Sequence, residues 1–164
     1  MAEAAFTPAW RRLLRNPVLL AAFGGGAGLS PKAPGTAGTL AAVPLYLVLM
    51  LLPRGWYIAV LLAFALAGVW ICGRASRELQ VADHPGIVWD EIVGFLLTMS
   101  AVAFSWINLV AGFLLFRLFD IAKPWPISYL DRNIKGGLGI MLDDIAAGIY
   151  AGTVLYMIDY FYNN

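Results

Sequence analysis

Two adjacent acidic pairs, Asp90-Glu91 and Asp143-Asp144, interrupt otherwise apolar runs of this 164-residue chain, and a further carboxylate, Asp120, ends another such run. A charge inside an apolar helix in lipid costs at least a few kcal/mol, so these positions call for a partner, a metal or a water-filled cavity. Neighbouring helical positions lie about 100° apart, so each pair presents two carboxylates to one wedge. Five carboxylates converging from three helix ends suit a hard divalent cation, and Mg²⁺ prefers oxygen ligands while keeping water and substrate phosphate in its shell. Asp90, Glu91, Asp120, Asp143 and Asp144 are therefore the candidate metal ligands, with Asp90, Glu91, Asp143 and Asp144 the candidate catalytic set. Mutual neutralisation, for example of Arg117 with Asp120, is the blander alternative; it accounts poorly for two adjacent acidic pairs, which repel without a cation.

An anion-binding element would complete such a site. Residues 28–39, GLSPKAPGTAGT, form a small-residue loop leading into an apolar run. It can aim backbone N–H groups and the start of a helix dipole at an anion, with Ser30, Lys32 and Thr36 as side-chain donors. No Gly-Lys-Ser/Thr follows, so it is not a Walker A loop, and a plain turn before a helix fits the same composition. Residues 123–137 add KPWP, three cations and a diglycine just before Asp143. Arg117, Lys123 and Arg132 join Lys32 as candidate phosphate-binding cations, and Asn133 joins Ser30 and Thr36 as a candidate reader of a polar head group.

The elements that must hold these groups are set by composition. The chain is 61% hydrophobic and 13% charged, with a mean hydropathy of +0.77, far from a soluble average. Apolar stretches over 36–52, 56–73, 87–104, 107–122 and 138–161 predict an all-α polytopic membrane bundle of about five spans. Residues 16–28, broken by three glycines, predict an interfacial or re-entrant helix. A single domain over 1–164 is expected, with 1–16 as a cytoplasmic N-terminal tail. With the N-terminus inside, ten of the 11 basic residues fall on the inner face and Arg54 alone falls outside, as the positive-inside rule requires. Eight carboxylates share that face. The net charge of +1 gives no field for nucleic acid. Cys72 is the one cysteine, so no intrachain disulfide can form and a core or lipid-facing place is expected. Nothing in the sequence fixes an oligomeric state.

Four segments taken together resemble the phosphatidylglycerophosphatase A family: GLSPKAPGTAGT (28–39), IVWDEIVG (87–94), FRLFDIAKPWPI (116–127) and DRNIKGGLGIMLDDIAAG (131–148). The resemblance implies Mg²⁺-dependent hydrolysis of phosphatidylglycerophosphate to phosphatidylglycerol and inorganic phosphate, in phospholipid biosynthesis at a bacterial inner membrane. The membrane lipid would then be the partner, met at a multi-pass protein whose site faces the cytoplasm.

Other readings fit less well. A small cation transporter would want charges across the whole membrane, whereas the outer half of each expected span is apolar. A different lipid-phosphate enzyme stays open, although Cys-x5-Arg and Asp-x-Asp-x-Thr motifs are absent from the sequence. A carboxylate nucleophile is the mechanistic alternative to direct attack by water. His84 reads either as a proton-transfer group or as a solvated loop histidine that helps form its turn, and Asp83 is the better placed of the two.

Overall fold

The computed structural model describes residues 10–163 of the chain; part of the expected N-terminal tail, 1–9, lies outside the described residues. The architecture is all-helical: α1 (Trp10–Arg15), α2 (Pro17–Ala22), a short 3-10 segment (Gly24–Leu29), α3 (Pro34–Leu49), α4 (Arg54–Leu79), α5 (Trp89–Met99), α6 (Trp106–Ala122), α7 (Ile127–Asn133) and α8 (Gly136–Asn163).

The boundaries follow local chemistry. Asn16 caps α2, its side chain accepting hydrogen bonds from the amides of Val18 and Leu19, with Pro17 in the first turn. Gly25 and Gly26, at φ 68° and 112°, prevent a continuous helix after it. Ser105 caps α6 by accepting from the Asn108 amide at 3.0 Å. At the other end of that helix Lys123 takes a left-handed conformation, φ 41°, and turns the chain toward α7.

α8 packs on α4, α5, α6 and α7, while α5 packs on α3, α4, α6 and α8. These two are the inner helices. Eight α5 residues, from Asp90 to Met99, are buried. By contrast α4 exposes Leu62, Leu66 and Trp70, and α6 exposes Ile107, Val110, Leu114, Leu118 and Ile121. Stripes of large apolar side chains on the outside invert the pattern of a water-soluble bundle and mark surface suited to lipid.

Two helices are long and apolar enough to cross a bilayer, Arg54–Leu79 and Gly136–Tyr162; Pro34–Leu49 is apolar but shorter. The largest departure from expectation is α5. Its 11 residues rise about 16 Å, roughly half of the ~30 Å hydrocarbon thickness, where the apolar run over 87–104 suggested a whole span. The physical reason lies at its start: Trp89 Nε1 donates to the Phe64 carbonyl at 3.1 Å and its ring meets Phe64 at 5.2 Å. That anchors the beginning of α5 beside the middle of α4, so the chain over 80–88 folds back before the helix starts. α7, seven residues long, falls in the 123–137 stretch, where no helix was expected.

Candidate active site

Asp90 and Glu91 occupy the first turn of α5, where no side chain caps the helix and the N-terminal dipole favours negative charge. Asp143 and Asp144 lie two turns into α8, facing them. The two helices meet almost backbone to backbone: a Cβ added at Gly148 would stand 2.6 Å from the Gly94 carbonyl oxygen, and one at Gly94 would stand 2.8 Å from that of Asp144. Thr98 Oγ1 donates to the Gly94 carbonyl on its own helix at 3.0 Å and reaches across the contact to that of Gly148 at 3.4 Å. Small residues at the crossing bring the two acidic pairs together.

They open into a cavity of about 560 Å³ lined by all five expected metal ligands and by Arg117, Lys123 and Arg132. The five carboxylates are not equivalent. One oxygen each from Asp90, Glu91 and Asp144 lies within 4.8 Å of the others. Asp120 is instead paired with Arg117, and Asp143 Oδ2 receives a hydrogen bond from Lys123 Nζ at 2.6 Å. Buried oxygens of Asp90 (Oδ1), Glu91 (Oε2), Asp143 (Oδ1) and Asp144 (Oδ2) have no hydrogen-bond partner among the described residues. Orphaned buried carboxylate oxygens are costly, and a hard cation with oxygen preference is the group that fits them. The donor set is thus suited to Mg²⁺, with Asp90, Glu91 and Asp144 as the three that come together.

The cations sort the same way. Arg117 pairs with Asp120 and approaches Glu91 Oε1 at 4.0 Å, so the neutralisation weighed above holds for this pair. Its buried Nε keeps a free N–H. Lys123 Nζ bridges Asp143, at 2.6 Å, and Asp131, at 2.8 Å. Burial alone would lower the Lys123 pKa, but the hydrogen bonds and charges of Asp131 and Asp143 outweigh it and raise it above the ordinary lysine value.

Three expected donors are not brought to the cavity. Ser30 Oγ donates to the Lys32 carbonyl at 2.7 Å, closing a local turn; Lys32 is exposed and Thr36 only partly buried. Their loop reaches the site through Ala33, Pro34 and Gly35 instead. A side chain at Gly35 would collide with Glu91 Oε1 and crowd Arg117. Asn133 is exposed and donates to the Tyr129 carbonyl at 2.7 Å. His84 is buried, not solvated: its Nδ1 accepts from the Gly86 amide at 3.0 Å and its ring lies 5.5 Å from that of Phe23. It is a turn-forming residue beside the cavity, which Asp83 lines. Asp131, Lys135 and Gly35 were not singled out as site residues by spacing. Asp131 and Lys135 stood in the charged stretch before Asp143, which was the available signal.

Comparisons with known proteins agree with this arrangement. Residues 20–159 match the phosphatidylglycerophosphatase A family profile. The chain is 44% identical over 149 residues to phosphatidylglycerophosphatase A of Escherichia coli K12, covering 90% of this chain and 87% of that one. It is 43% identical over 150 residues to phosphatidylglycerophosphatase A of Haemophilus influenzae, covering 90% and 91%. A relative from Bacteroides thetaiotaomicron, 40% identical over 147 residues and covering 82% and 88%, is named for a different head group, phosphatidylinositol 3-phosphate. No solved structure matches the chain. The four motifs, the acidic cavity they build and a profile match spanning most of the sequence have one outcome: this chain belongs to the phosphatidylglycerophosphatase A family.

Proposed function

We propose that the chain hydrolyses the terminal phosphomonoester of phosphatidylglycerophosphate, giving phosphatidylglycerol and inorganic phosphate as a step of phospholipid biosynthesis. Family membership makes it a phosphatase. The observation that carries the reading is the trio of Asp90, Glu91 and Asp144, whose oxygens converge within 4.8 Å in a cavity that Arg117, Lys123 and Arg132 also line. These three would hold Mg²⁺, which when bound supplies positive charge against the phosphate and acidifies water.

The chain's own groups do the rest. Arg117 Nε, buried and without an acceptor, donates to a phosphate oxygen. Asp143 Oδ1, also unpartnered, takes the proton of the attacking water while Lys123 holds the other oxygen of the same carboxylate. Water attacks phosphorus in line, the bond to the glycerol oxygen breaks, and that oxygen leaves with a proton from solvent.

The same reading makes the protein a multi-pass one of a bacterial inner membrane. The chain crosses five times, through α3, α4, α5 with its flanks, α6 and α8; Met99 already lies beside Arg54, so the half-length α5 completes its pass with the segment before Trp89. Arg54 is then the one basic residue of 11 on the outer side, and the cavity faces the cytoplasm. Substrate reaches it from the inner leaflet with its acyl chains still in lipid. Purified protein in detergent should release phosphate from phosphatidylglycerophosphate when Mg²⁺ is added and stop in excess chelator. Full activity in chelator, or none with Mg²⁺, overturns the reading.

A further inference from the structure

The cations around the cavity are of two kinds. Arg117 and Lys123 are held by carboxylates. Arg132 and Lys135 also line the cavity, yet both are exposed, and among the described residues neither has an ion-pair partner. Lys135 Nζ spends one hydrogen bond on the Asp131 carbonyl, at 3.0 Å, leaving two of its three donors. The Arg132 guanidinium keeps its whole donor fork, the geometry that suits phosphate.

Their position is as informative as their freedom. Arg132 follows Asp131, which Lys123 ties to Asp143, and Asp143 adjoins Asp144 of the trio. Two uncommitted cations therefore line the same cavity, two ion-pair links outward from the group that would bind the terminal phosphate. A lipid with a single phosphate monoester engages the trio and leaves this pair unused. A lipid whose head group carries a phosphodiester and, beyond a short spacer, a phosphomonoester has an anion for each place.

We propose that Arg132 and Lys135 form a second anion subsite that binds the phosphodiester of such a lipid, selecting doubly phosphorylated lipids over phosphatidic acid. This rests on the phosphatase reading above and adds the residues that read the second anion of its substrate. Charge-assisted hydrogen bonds to phosphate act in substrate and transition state alike, so their loss should appear mainly in KM.

The test compares wild type, R132Q, K135Q and the double variant on phosphatidylglycerophosphate and on phosphatidic acid of matched chains in mixed micelles. The double variant should lose roughly 30- to 100-fold in kcat/KM on phosphatidylglycerophosphate, each single about 10-fold, and far less on phosphatidic acid. Inhibition by phosphatidylglycerol, which carries the diester alone, should weaken by a similar factor. Equal losses on both substrates, or unchanged inhibition by phosphatidylglycerol, overturn the subsite while leaving the phosphatase standing. Wild type that releases phosphate from neither lipid removes both.

Discussion

Lys123 Nζ lies 2.6 Å from Asp143 Oδ2, joining two residues 20 positions apart in sequence. One cation at the end of α6 thereby fixes the carboxylate proposed to take a proton, and it does so from outside the trio.

Replacing Lys123 with Ala should cost roughly 1–3 kcal/mol of stability, less than the ~3–5 kcal/mol of a fully buried pair, because the lysine side chain is 29% exposed. The raised Lys123 pKa means its stabilisation is complete below the unfolded value of about 10.4 and fades only as pH rises through the higher folded value. The difference in melting temperature between wild type and K123A should therefore stay level from about pH 7 to about pH 9. A difference that shrinks toward the alkaline end contradicts it.

Asp90→Asn, Glu91→Gln and Asp144→Asn should each lower kcat by about 10³-fold or more, ~4 kcal/mol in barrier terms. In chelator these variants should melt no lower than wild type, since each removes repulsion among uncompensated carboxylates. Added Mg²⁺ should raise the wild-type melting temperature and not theirs. Variants that keep more than about a tenth of the activity would make the trio structural.

Asp120→Asn should behave differently, because Asp120 is already neutralised by Arg117. It should keep measurable turnover, at least about tenfold above Asp144→Asn, and should lose stability instead. Side-by-side phosphate release and thermal unfolding decide the matter; equal kinetic damage would place Asp120 with the trio.

Gly35→Ala should reduce kcat by about tenfold or more, because its methyl group would meet Glu91 Oε1 and Arg117. Gly25→Ala offers a comparison: open space surrounds that position, but its φ of 68° strains an alanine by ~1 kcal/mol. The first should lose turnover with little change in melting temperature, the second the reverse.

Single cysteines at Lys32 and Lys135, in a Cys72→Ala background, should resist an impermeant thiol reagent applied outside intact cells and react once the membrane is opened. Cys72 is fully buried against Met141, Sγ to Sδ 3.9 Å, so its removal should cost about 1 kcal/mol and spare the fold. Labelling from outside would reverse the orientation.

The carboxylates were legible in the sequence because charge in an apolar run has few explanations, and Asp90, Glu91, Asp120, Asp143 and Asp144 do line one cavity. Their division into a converging trio and two cation-held acids was not. The Arg117–Asp120 pair, three residues apart on one helix, was weighed from the sequence, but Lys123 reaching Asp143 on α8 was not, since residue type does not reveal which distant acid a cation will choose. The Gly-rich loop was recognised as a neighbour of the site, but Ser30, Lys32 and Thr36 do not line the cavity because Ser30 turns back on the Lys32 carbonyl. Likewise the apolar run over 87–104 gave helix and burial correctly; its short length came from the Trp89–Phe64 anchor, a tertiary contact without a local signature.

The contact of Gly94 with Gly148 leaves no space for even one methyl group, so α5 and α8 are locked at the point where they carry the acidic pairs. Parting them there would break the close backbone contact that holds the two pairs together. Across the cavity, the stretch from Lys123 to Gly136 is tied to α8 through Lys123 and Asp143. One helix thus serves both walls: α8 meets α5 through a glycine contact and the 123–136 stretch through an ion pair, so a shift of α8 would be felt on both sides of the cavity.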